Sequence, residues 1–193
     1  MSNDKIKVAF LDRDGVINKE VNYLHNIDEF EFTIDCIEGL RRIRDLGYEI
    51  IIITNQAGIA RGFYSEEHYH ILTDWYRAIL KDNGIDILDI FYCPHHPSGN
   101  VKEFSRHCYC RKPSPGMIDQ ACAKYPIDLM NSILVGDKNS DMYAAIRAGI
   151  PRFFLVKTGH LIDMPADNAI ISETLLSISD FINNDKSYEK TKL

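Results

Sequence analysis

Short apolar runs alternating with helical patterns constrain the fold of this chain more than any other feature of its 193 residues. KVAFLD (7–12), EIIIITN (49–55), SILVGD (132–137) and RFFLVKT (152–158) are apolar at successive positions, not at alternate ones. Strands of that kind are buried on both faces, the condition found in parallel sheets covered by helices. ILDIFYC (87–93) is a weaker run of the same type. Helical patterns occupy 34–47, 66–84, 116–126 and 139–149. The first, second and fourth reach Gly47, Gly84 and Gly149, each suited to a left-handed helix end. The expected fold is α/β: a doubly wound, Rossmann-like, mostly parallel sheet with helices on both faces. Residues 15–33, between the first strand and the first helix, are too few for a large cap domain. The length favours one domain, expected over 1–185, with 186–193 as a flexible tail.

Residues 94–115 break the rhythm: they are rich in Pro, Gly, Ser and His and carry no helical period. Loops that long in a compact domain are usually functional. This one is bracketed by CPHH (93–96) and CYC (108–110), with Arg111 and Lys112 directly after. Three thiols and an imidazole suit a closed, tetrahedral Zn²⁺ site that supplies structure and not chemistry. Its ligands are expected to be Cys93, Cys108, Cys110 and one histidine, His95 best placed, with His96 and His107 as alternates. Clamping the loop at 93–110 would fix Arg111 and Lys112 for use on an anion. Cys36 and Cys122 stand alone in helical patterns and are expected in the core, as are Trp75 and Tyr76. An odd count of five cysteines and an N-terminus that meets acidic residues early are read as signs of a reducing, cytoplasmic setting. The formal net charge of -6 argues against nucleic acid or an anionic membrane as the main partner.

Ligands of open parallel sheets bind beyond the carboxyl ends of the strands. FLDRDGV puts Asp12 and Asp14 there, EIIIITN puts Thr54 and Asn55, and ILVGDKNSD puts Asp137 and Asp141. Two anionic clusters at equivalent ends of one sheet repel each other unless a cation sits between them. Mg²⁺ suits the position: it prefers hard oxygen ligands and completes its shell with substrate phosphate.

D-x-D after the first strand, Thr at the second, Lys in the third segment and G-D-x-x-x-D at the fourth resemble the haloacid dehalogenase-like phosphatases. The motifs stand in order over residues 8–141. That resemblance implies Asp12 as nucleophile, Asp14 as general acid and base, and Thr54 and Lys112 as phosphoryl ligands. It places Mg²⁺ on Asp12, Asp137 and the main-chain carbonyl of Asp14, with Asp141 behind them.

C-x-H-x₁₂-C-x-C-R-K-P narrows the resemblance to the histidinol-phosphatase-like branch. TNQAGIARG (54–62), GDK (136–138) and the long cysteine loop are similar to the members of that branch acting on a heptose bisphosphate. The implied reaction is removal of the 7-phosphate from D-glycero-D-manno-heptose 1,7-bisphosphate, a step towards nucleotide-activated heptose for lipopolysaccharide. Hydrolysis of histidinol phosphate is the alternative, and a non-catalytic zinc module binding nucleic acid is a remote one. The branch's substrate contacts fall on Asp12, Arg13 and Asp14, on Glu20, Val21, Asn22 and Tyr23, on Thr54, Asn55, Gln56 and Ala57, and on Arg111, Lys112 and Lys138. Arg111 is expected to grip the second phosphate, at C1, through its guanidinium fork. Asn22 stands where some members carry Gly, and Asn tolerates a left-handed turn. The partners implied are a small sugar bisphosphate, no nucleic acid and no membrane, in a monomeric protein.

Overall fold

A computed structural model describes residues 5–190. Residues 1–4 of the charged N-terminus and 191–193 of the expected tail lie outside the described residues. The strands are β1 (Val8–Leu11), β2 (Glu49–Asn55), β3 (Asp89–Cys93), β4 (Ile133–Gly136), β5 (Arg152–Val156) and β6 (Ile170–Ser172). They form one six-stranded sheet in the order β3-β2-β1-β4-β5-β6, and every pairing is parallel. The helices are α1 (Cys36–Asp45), α2 (Ala57–Arg61), α3 (Glu66–Asp82), α4 (Gly116–Lys124), α5 (Asn139–Ala148) and α6 (Leu175–Lys190). Gly47, Gly84 and Gly149 all take positive φ, as their positions in the sequence require.

The successive apolar residues of each central strand divide between two cores. Ala9, Leu11, Ile50, Ile52, Ile133 and Val135 pack under α1, α3 and α6, with Leu40, Tyr76 and Ile178 among their neighbours. Val8, Phe10, Ile51, Ile53 and Leu134 pack under α4 and α5, against Ile118 and Met142. Each such side chain contributes roughly 1.5–3 kcal/mol by leaving water, which is why no polar position interrupts these runs. Cys36 and Tyr76 are buried in the first core, with Trp75 packed on its margin, and Cys122 lies at the edge of the second.

Two α-helices and one strand fall outside the sequence patterns described above. Helix α2 is only five residues long, and β6 is a three-residue edge strand, both too short to carry a period. Helix α6 places Leu175, Ile178 and Ile182 in the core at helical spacing, a signal that was present. It runs through residues 186–190, the first part of the expected tail.

The chain lays down β1, β2 and β3 to one side, then returns to place β4 on the other side of β1. A crevice therefore opens at the carboxyl ends of β1 and β4, where the direction of winding reverses. Leu11 pairs with Val135, and the Asp12 N–H donates to the Val135 carbonyl at 2.9 Å. Asp12 and Asp137 consequently leave adjacent strands side by side.

Candidate active site

Gly15 makes the first turn possible. It sits at φ +83°, and a Cβ there would come within 2.4 Å of Asp137 Oδ2. Gly159 presses on the same oxygen from the loop after β5, where a Cβ would stand 2.2 Å away. These two approaches wall in Asp137, which also accepts from the His160 N–H at 3.0 Å and meets His160 Nδ1 at 2.6 Å. Both contacts fall on Oδ2. Oδ1 of Asp137 is buried and has no hydrogen-bond partner among the described residues.

Asp12 is fixed through Oδ1, which accepts from the Arg13 N–H at 2.7 Å and lies 3.0 Å from Lys112 Nζ. Lys112 is fully enclosed, and its ammonium also reaches Asp141 at 2.7 Å and the Ile53 carbonyl at 2.8 Å. Asn55 zips that segment to the end of β2, accepting from the Lys112 N–H and donating to its carbonyl at 3.0 and 3.1 Å. Burial opposes the charge on Lys112, yet Asp12 and Asp141 hold it well above its usual range.

Asp14 carries donors on both carboxylate oxygens. Arg13 approaches through Nε and a terminal nitrogen at 3.1, 2.7 and 3.0 Å, Asn18 at 3.0 Å and Gln56 at 3.1 Å. Gln56 is itself tied to Thr54 Oγ1 at 2.8 Å and to the Tyr64 hydroxyl. The carboxylate is thus oriented by three side chains, all of them buried.

Asp12, Asp137 and Asp141 offer oxygens that all lie within 4.8 Å of one another. Burial pushes the Asp12 carboxyl up to about 6 against the pull of Lys112, with Asp141 and Asp14 adding to the rise. Burial likewise raises Asp137 and Glu20, with neighbouring carboxylates again contributing. One buried ammonium does not neutralise so many acids. The unpartnered Asp137 Oδ1 and this excess of negative charge fit a hard divalent cation.

The cysteine loop gathers a second donor set. Sγ of Cys93 lies 3.4 Å from Cys108 and 3.2 Å from Cys110, and Cys108 lies 3.4 Å from Cys110. His95 Nδ1 stands 3.3 Å from Cys110 Sγ and 3.8 Å from Cys93 Sγ. No pair is at the roughly 2.05 Å of a disulfide, and all three thiols are free. The hydrogen bond with Cys93, ahead of the opposing effect of burial, draws the Cys110 thiol down towards thiolate. Of His95, His96 and His107, His95 is the one in the cluster. His96 turns to the carboxylate cavity instead.

That cavity measures about 290 Å³. It brings together Asp12, Asp14, Glu20, Asn22, Tyr23, Asn55, Gln56, Ala57, Arg111, Lys112 and Lys138 from the sequence expectation. Thr54 is fully buried and reaches the site through Gln56. Val21 is exposed but does not line the cavity. Arg13 also departs from expectation as a side chain. It is buried, folded back on Asp14 and on the Leu24 carbonyl at 3.2 Å, because an arginine beside two carboxylates is better paired than solvated. Only its main-chain N–H serves Asp12. The left-handed residue of the 20–23 loop is Tyr23, at φ +59°, and not Asn22. Arg61, Tyr64, His96 and His160 also line the cavity, beyond the residues expected from the sequence. His160 follows β5, so the strand-end rule that found Asp137 also pointed to it.

Comparisons with known proteins identify the family. The HAD-hydrolase-like family matches residues 109–174. A Photorhabdus laumondii protein named D-glycero-alpha-D-manno-heptose-1,7-bisphosphate 7-phosphatase is 70% identical over 182 residues, covering 94% of this chain and 100% of its own. An Escherichia coli K12 protein named D-glycero-beta-D-manno-heptose-1,7-bisphosphate 7-phosphatase is 44% identical over 164 residues, covering 85% and 86%. Among solved structures, D,D-heptose 1,7-bisphosphate phosphatase from B. bronchiseptica, complexed with magnesium and phosphate, superposes with a TM-score of 0.81 at 28% identity. It covers 93% of this chain and 99% of its own.

Proposed function

The chain belongs to the heptose-1,7-bisphosphate 7-phosphatase family of haloacid dehalogenase-like hydrolases, and from that membership we propose its reaction: removal of the 7-phosphate of D-glycero-α-D-manno-heptose 1,7-bisphosphate. The α anomer is favoured because the relative at 70% identity bears that name, whereas those at 42–46% bear the β name. The observation that carries the reading is the pairing of Asp12, fixed beside a buried lysine, with Asp14, oriented two residues away in the same cavity.

In the proposed mechanism Asp12 attacks phosphorus, a P–O bond to its carboxylate forms, and the bond to the sugar oxygen breaks. Its anchoring contacts fall on Oδ1, and its other oxygen has no hydrogen-bond donor among the described residues. Asp14 gives a proton to the departing sugar oxygen, then takes one from the water that cleaves the aspartyl phosphate. Lys112 and the donors near Thr54 hold the phosphoryl oxygens as charge accumulates on them. Asp12, Asp137 and the main-chain carbonyl of Asp14 would hold Mg²⁺, which when bound supplies positive charge to the transferring phosphoryl group. Cys93, His95, Cys108 and Cys110 would hold Zn²⁺, which when bound supplies rigidity to the segment carrying Arg111 and Lys112.

Phosphate release from a panel of substrates tests the assignment. Compared by kcat/KM in excess Mg²⁺, the α-configured heptose 1,7-bisphosphate is expected to exceed its β anomer and histidinol phosphate each by tenfold or more, about 1.4 kcal/mol or more of transition-state binding. Preference for histidinol phosphate would reject the sugar reading.

A further inference from the structure

The charged groups around the cavity fall into two sets. Asp12, Asp14 and Glu20 each have a cation close by, from Lys112, Arg13 and Lys138, and Asp137 has the His160 ring. Arg61 and Arg111 form no ion pair with any described residue, although both line the same cavity. His96 joins them: a terminal nitrogen of Arg61 stands 3.5 Å from its Nε2. We propose that Arg61, together with Arg111, forms a second anion-binding pole that takes the phosphate left on the sugar, and that Arg61 thereby sets the preference for a bisphosphate over a monophosphate. This rests on the substrate reading given above.

Arg61 is held as a binding residue would need to be. It closes α2, and that helix end is stitched to the cysteine loop: the Ala60 carbonyl accepts from Asn100 N–H and Val101 N–H, and the Arg61 carbonyl from Asn100 Nδ2. Its guanidinium lies 5.9 Å from the centre of the Tyr23 ring. Tyr23 is itself kept in an unfavourable left-handed backbone, its ring 4.5 Å from that of Phe63 and its carbonyl 2.9 Å from His25 Nδ1. With its stem fixed in this way, Arg61 Nε is buried and has no hydrogen-bond partner among the described residues. A guanidinium that lines the cavity and has no carboxylate partner among the described residues is matched by an anion, and its planar fork can meet two phosphate oxygens at once.

The test compares the full chain with Arg61→Ala and Arg61→Lys on two substrates: the heptose 1,7-bisphosphate and the heptose 7-phosphate lacking the C1 phosphate. The ratio of kcat/KM, bisphosphate over monophosphate, is expected to fall about tenfold to a hundredfold in Arg61→Ala, the range for hydrogen bonds between charged groups. KM should carry most of the change, and Arg61→Lys should recover part of it. The lysine variant keeps the charge, loses the fork, and carries the comparison if the alanine variant is unfolded. A wild-type preference retained in full by both variants, or an equal loss on both substrates, would overturn this inference alone. Equal kcat/KM of the wild type on the two substrates would overturn it together with the substrate reading.

Discussion

Asp12→Asn is expected to abolish turnover, by at least about a thousandfold, while leaving the fold intact, because an amide cannot form the acyl phosphate that a carboxylate nucleophile forms. The same change should stabilise the metal-free protein. Burial, with Asp141 and Asp14 adding, pushes the Asp12 carboxyl from its usual 3.8 up to about 6. Between those values the folded chain keeps a proton that the unfolded chain gives up, so wild-type stability falls relative to Asn as pH rises through that window. The advantage of Asn should grow from pH 4 to about pH 6, level off above it, and shrink when Mg²⁺ is added. Thermal melts across pH, with and without Mg²⁺, read this directly. A loss of activity of only tenfold, about 1.4 kcal/mol of barrier, would sink the covalent route.

Cys108→Ser should damage catalysis without touching a reacting atom. Serine is a poorer ligand in a set that otherwise offers two thiols and His95 Nδ1 around one centre, so zinc content should fall from one atom per chain towards none. Released, the loop no longer fixes Arg111, which donates to the His95 carbonyl at 3.3 Å, or the segment that carries Lys112. Misplacing such a clamp by about an ångström costs on the order of a hundredfold in rate. The Mg²⁺ requirement should hardly move, since Asp12 and Asp137 leave β1 and β4 and owe their places to the sheet. Metal analysis and a Mg²⁺ titration of activity on the same samples separate the outcomes. Zinc lost with activity retained would mean that the loop does not position the cations.

Residues whose positions follow from strand ends were legible in the sequence. Asp12, Asp14, Thr54, Asn55 and Asp137 each follow or end an apolar run, and a parallel sheet delivers such positions to one edge regardless of detail. The cysteine cluster was legible for a different reason: thiol and imidazole spacing survives any loop conformation that lets the ligands meet. What stayed hidden depends on side-chain direction. Arg13 lies between two aspartates in sequence, yet its guanidinium folds back on Asp14. The positive φ falls on Tyr23 although Asn22 is the residue that tolerates it better, because ring contacts with Phe63 and Arg61 outweigh local preference. Arg61 closes a five-residue helix with no period to read. His160 follows the β5 run, where the strand-end rule applies, but its approach to Asp137 is set by the packing of Gly15 and Gly159 on that carboxylate.

The most direct test of the proposed reaction follows phosphorus itself. With α-configured heptose 1,7-bisphosphate, Mg²⁺ and the purified chain, ³¹P NMR should show inorganic phosphate growing at the expense of the C7 signal. The C1 phosphorus, coupled to the anomeric proton, should persist to the end of the reaction. Loss of the C1 signal first, or of both signals at comparable rates, would contradict a 7-phosphatase.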